Sequence, residues 1–60
     1  MFEVVIENIN EEFEVIYETE RLDDAIEFAK KTPKETYKSI RIDMIGKDDK
    51  LIKIIELELK

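Results

Sequence analysis

One stretch of the sequence, Thr19 to Lys31 (TERLDDAIEFAKK), carries helical periodicity, and the rest of the chain must be arranged around it. Leu22, Ala25, Ile26 and Ala29 recur at i, i+3, i+4 and i+7, the spacing that puts side chains on one face of a helix. Thr19 stands where an N-cap hydroxyl would meet an orphan amide of the first turn. Glu20, Asp23 and Asp24 at the start, with Lys30 and Lys31 at the end, match the two poles of the helix dipole. Pro33 cannot continue the helix and drives Thr32 out of the α region. One helix has one apolar stripe, so strands must supply whatever it packs against.

The flanking segments read as strands. Phe2, Val4 and Ile6 alternate with Glu3, Val5 and Glu7, and Asn8 to Glu11 supplies turn chemistry. Phe13, Val15 and Tyr17 then alternate with Glu14, Ile16 and Glu18, which makes the two segments an antiparallel hairpin. After the polar connector Thr32–Thr36, period two returns from Tyr37: Ile40, Ile42 and Met44 face one way, Ser39, Arg41, Asp43 and Ile45 the other. Gly46 to Asp49 forms a tight turn, with Gly46 free to take positive φ. The last strand, Leu51 to Leu59, is apolar on both faces: Leu51, Ile55, Leu57 and Leu59 in one phase, Ile52 and Ile54 in the other.

The expected fold class is therefore α+β. It is a single ββαββ domain over residues 1–60, with a four-stranded sheet of two hairpins and one helix packed on one face. Its core comprises Phe2, Val4, Ile6, Phe13, Val15, Leu22, Ala25, Ile26, Ala29, Ile40, Ile42, Met44, Ile55 and Leu57, with Phe28 at the margin. The helical crossover makes the second and third strands parallel, which admits the orders 1-2-3-4 and 2-1-4-3. The two-faced apolar character of the fourth strand favours 2-1-4-3, because such strands tend to be central.

Size then decides what the helix can cover. Four strands at ~4.8 Å spacing make a sheet roughly 15–19 Å wide, against a helix ~10–12 Å in diameter. One sheet face is left open, and Val5, Ile16, Ile52, Ile54 and Ile45 point to it in the alternating pattern. Burial of those five would help a domain of sixty residues, which is near the lower limit for folding without a staple. Self-association as a homodimer through this face is the expectation, since a two-fold axis makes one patch its own partner.

The composition excludes most chemistry. The chain has no histidine and no cysteine, which removes imidazole catalysis, thiolate nucleophiles, disulfides and zinc-finger ligation. Lys38 and Ser39 are neighbours in a strand and project to opposite faces, so they cannot cooperate. Glu11-Glu12, Asp23-Asp24 and Asp48-Asp49 lie on solvated turns or a helix start, where nothing would raise a carboxyl pKa for acid–base work. Asp48-Asp49 lacks the alternating ligands and closing glutamate of a calcium loop, and Gly46 alone makes no phosphate cradle. The expectation is no enzyme, no metal and no cofactor. No apolar run reaches transmembrane length and the N-terminal MFEVVIEN lacks a basic signal-peptide start, so a cytoplasmic protein without membrane contact is expected.

Charge narrows the partner. Residues 1–30 hold ten carboxylates against two basic side chains, and residues 31–60 hold eight basic against six acidic. An acidic half disfavours nucleic acid, because phosphate neutralisation needs lysine and arginine. In the C-terminal hairpin, Lys38, Arg41, Lys47, Lys50 and Lys53 interleave with acids, a pattern of cross-strand charge pairs more than of a nucleic-acid groove. Glu3, Glu7, Glu14 and Glu18 instead form a charged rim around apolar Val5 and Ile16, the anatomy of a protein interface that complements a basic partner surface. With Ile52 and Ile54, these are the candidate protein-binding residues. The functional expectation is a small non-enzymatic binding module that regulates or inhibits a larger protein. That partner could itself handle nucleic acid, and a viral or phage-encoded inhibitor is one such form. The alternatives are a structural subunit of an assembly, or a weak nucleic-acid binder acting through the C-terminal hairpin.

Overall fold

The computed structural model describes residues 1–56. The elements run β1 (Phe2–Glu7), β2 (Phe13–Thr19), α1 (Leu22–Lys31), a single 3-10 turn (Lys34–Thr36), β3 (Ser39–Ile45) and β4 (Leu51–Glu56). This is the expected ββαββ arrangement: one four-stranded sheet with one helix packed on it. The core position expected at Leu57 and the end of the last strand expected at Leu59 lie outside the described residues.

The helix forms as its apolar spacing dictates. Ala25 and Ala29 are fully buried, and their small side chains let the helix approach the sheet closely over Val4, Ile6, Ile40 and Ile42. Leu22, Ile26 and Phe28 are half-buried along the flanks of this contact, and the Phe28 ring stacks on Tyr17 of β2 at 4.2 Å. Thr19 is not the N-cap: that position belongs to Arg21, and the Thr19 hydroxyl accepts from the Arg21 amide in a short turn ahead of the helix. At the other end Thr32 is extended, at φ −70° and ψ 127°, the conformation a following proline imposes.

The strand order is β2-β1-β3-β4, with every neighbouring pair antiparallel. The expected 2-1-4-3 is thus corrected. β2 and β3 do run parallel, but β1 lies between them and pairs with both. The most buried strand is β1, where Val4, Val5 and Ile6 are all shielded. β4 is an edge strand in spite of its two-faced apolar pattern, and Leu51, Ile52 and Ile54 remain exposed along it. Its aliphatic content reflects β-propensity more than central position.

Two register shifts redirect side chains. In β2, Tyr17 pairs with Val4 and Val15 pairs with Val5, leaving Ile16 as an extra residue. Such a bulge puts two consecutive residues opposite one and reverses the phase of what lies beyond it. Ile16 and Tyr17 therefore both pack against the core, while Phe13 and Val15, expected inside, are 60% and 50% exposed. In β4, Lys53 pairs with Met44 and Leu51 with Ile45, so Ile52 is the extra residue there. The turn between β3 and β4 takes its positive φ at Asp49, and a second positive φ falls at Glu11. Gly46 itself has no positive φ; a Cβ there would stand 2.9 Å from Cδ1 of the exposed Ile52, whose side-chain tip would have to turn aside.

Candidate protein interface on the open sheet face

The face that α1 does not cover is built by the alternate residues of each strand. Across its middle run Val15, Val5 and Arg41, in register from β2 to β3. On one side of that row lie Phe13, Glu7 and Ser39, and on the other Glu18, Glu3, Asp43 and Ile54. Val5 is only 4% exposed although no second layer covers it. Val15 and Arg41 flank it in the sheet on either side.

Arg41 is the organising side chain. Its Nε donates to Asp43 Oδ1 at 2.9 Å and its Nη2 donates to Oδ2 at 3.4 Å, a two-point grip on a carboxylate that is 7% exposed as a residue. The guanidinium carbon also lies 5.0 Å from the Phe13 ring centroid, in cation–π range. A long aliphatic stem with a charged head can lie along apolar surface, and the Arg41 side chain is about one-third exposed (33%). Asp43 is buried because it is paired; alone it would carry a desolvation penalty.

Three further carboxylates line this face. Glu7 accepts from the Ser39 hydroxyl at 3.3 Å. Glu3 and Glu18 are directly opposed across β1 and β2, and neither has a cationic partner among the described residues. The exposed apolar side chains Phe13, Val15, Leu51 and Ile54 surround them.

No family model, curated protein or solved structure matches this chain. Its functional reading therefore rests on the geometry alone.

Of the residues expected at an interface, Glu3, Val5, Glu7, Glu18 and Ile54 share the open face. Glu14 does not: beyond the bulge it pairs with Ile6, in a row of the helix-bearing face. Ile16 packs half-buried against the core, and Ile52 sits at its own bulge against Gly46. Phe13, Val15, Arg41 and Asp43 join the face instead. The signal for the change was present in Val15-Ile16-Tyr17, three successive apolar residues in a strand that otherwise alternates.

Elsewhere, Tyr17, Phe28, Asp24, Glu27 and Lys31 line an open groove of about 180 Å³ on the helix side. The Lys31 ammonium bonds Glu27 at 2.8 Å and holds its carboxyl below the usual glutamate range, while the same contact raises the lysine. Both groups are fully solvated, as an i,i+4 surface pair usually is. Among the described residues no three carboxylates converge as metal ligands, and no helix is long and apolar enough to cross a membrane.

Proposed function

We propose that this chain is a non-enzymatic protein-binding module that docks a larger protein through the open face of its sheet and so regulates or blocks it. The observation that carries the reading is the joint exposure of Phe13, Val15 and Ile54 on a face whose centre, Val5, is already dry. An apolar centre held by a paired arginine and bordered by carboxylates is how protein interfaces combine affinity with steering. Absence of histidine and cysteine from the sequence argues against a catalytic role. A virus- or phage-encoded inhibitor fits this description, as does a subunit that binds its neighbours in an assembly.

A second copy of the chain is the competing partner, and the exposed aliphatic edge of β4 favours that reading. Sedimentation at increasing concentration separates the two: the binding-module reading expects a monomer that gains mass only with its partner. The direct test uses two baits, the natural chain and a Phe13→Ser/Ile54→Ser variant, against extract of the source cell. A partner retained by the first and lost by the second, with both baits folded, supports the reading. Equal retention by both removes the open face from consideration.

A further inference from the structure

Resting on that reading, we infer that the occupant of the open face is a partner surface bearing arginine or lysine beside apolar side chains, with Glu3 and Glu18 receiving the cations. Two observations select this occupant over a second copy. The described side chains on the face carry four carboxylates (Glu3, Glu7, Glu18, Asp43) against one guanidinium, and that guanidinium is already committed to Asp43. Two such faces brought together would oppose like charges, which costs an interface several-fold to many-fold in affinity. Area argues the same way. Strands of six or seven residues at ~3.3 Å rise, in a sheet roughly 15–19 Å wide, offer a plan area of roughly 300–450 Å². A standard stable interface needs about 800 Å² per partner. Two open faces stacked on one another share no more than this footprint, whereas a larger partner can cover the face and extend over the rims and the β4 edge together.

The Glu3–Glu18 pair is the informative detail. Like charges directly opposed on neighbouring strands weaken a sheet, and nothing among the described residues compensates these two. A cation placed between them would relieve the repulsion on binding, converting a local cost of the free chain into affinity.

The test uses three 15-residue amphipathic peptides with leucine on one face and arginine, glutamate or serine on the other, titrated into isotopically labelled chain and followed by NMR. The inference expects the arginine peptide alone to bind at low salt, with the largest shifts at Glu3, Val5, Val15 and Glu18. It further expects the Glu3→Gln/Glu18→Gln variant to bind about tenfold more weakly while melting at a higher temperature than the natural chain. A merely structural pair would not separate those two readouts in opposite directions. If the glutamate or serine peptide binds the open face as well as the arginine peptide, the occupant's chemistry is wrong and the surface stands. If the arginine peptide shifts Asp23, Asp24 and Glu27 on the helix, or nothing at all, the inference and the choice of surface both fall. Concentration-dependent shifts at the open face of the chain alone would overturn the inference in favour of a second copy.

Discussion

The Arg41 guanidinium reaches Phe13 across β1, at 5.0 Å from the ring centroid, while its Nε and Nη2 hold Asp43. One side chain thereby ties β2 to β3 over Val5 and gives a two-layer domain a partial third layer. Arg41→Ala leaves Asp43 shielded and unpaired, and should cost about 1.5–3 kcal/mol, the range for a hydrogen-bonded charge. Arg41→Ala/Asp43→Ala should cost less than the two single substitutions summed. Urea denaturation of the four proteins gives the coupling; additive effects would show that the pair contributes nothing beyond its parts.

The bulge separates two isoleucines that an unbroken alternation would treat alike. Ile16 packs against the core, and Ile54 is 42% exposed on the open face. Ile16→Glu should destabilise by about 1–3 kcal/mol through lost packing and a charge set at the half-buried margin of the core. Ile54→Glu should stay within about 1 kcal/mol of the natural chain, the usual range for a surface change. Thermal unfolding monitored by circular dichroism distinguishes them, and equal losses would contradict the register.

What the sequence made legible was whatever rests on local periodicity. The stripe Leu22, Ala25, Ile26, Ala29 located the helix and its buried face, Pro33 fixed its end, and Val4 and Ile6 marked the core side of β1. Strand order was harder, because exposed aliphatic residues at an edge and buried ones at a centre look the same in a list of residues. Val4-Val5-Ile6 marked β1 as central, in the expected order as in the observed one, but the apolar run of β4 put that strand beside β1, where β3 stands. A single inserted residue at Ile16 moved Phe13 and Val15 to the opposite face, where they and Arg41 make the candidate interface. Period-two reading assumes an uninterrupted ladder, so a bulge is the feature it handles worst.

Glu11 holds φ 64° in the turn between β1 and β2, where Asn8 Oδ1 accepts from the amides of Asn10 and Glu12. Glutamate gains nothing locally from a left-handed backbone, and glycine removes the Cβ strain. Glu11→Gly should raise stability by about 0.5–1 kcal/mol, net of the greater entropy of the unfolded chain. That corresponds to a rise of a few degrees, about 2–8 °C, in melting temperature for a domain of this size. A fall would mean that the Lys38–Glu11 contact at 3.5 Å outweighs the strain.

The Glu27–Lys31 pair carries a definite pH signature. Glu27 is lowered by its bond to Lys31 and by that ammonium's charge, so its contribution is present above the unfolded-state pKa and lost as pH falls through the lowered folded value. Lys31 is raised by the same contact, so its contribution is present below its unfolded pKa and lost as pH rises through the raised folded value. Glu27→Gln should therefore match the natural chain in acid and fall slightly below it at neutral pH. The difference should shrink in high salt because the pair is fully solvated. Melting curves at acid and neutral pH, each with and without added salt, read this directly.

The central claim is that the open sheet face, not the helix, is the surface this chain offers to another protein. Methyl-labelled NMR of the chain, titrated with the partner captured by the natural bait, tests it most directly. The account predicts that the Val5, Val15 and Ile54 methyls shift or broaden while Val4, Ile40 and Ile42, sealed under α1, hold their positions. Perturbation confined to Leu22 and Ile26 on the helix flank, with the Val15 and Ile54 methyls unmoved, would contradict it.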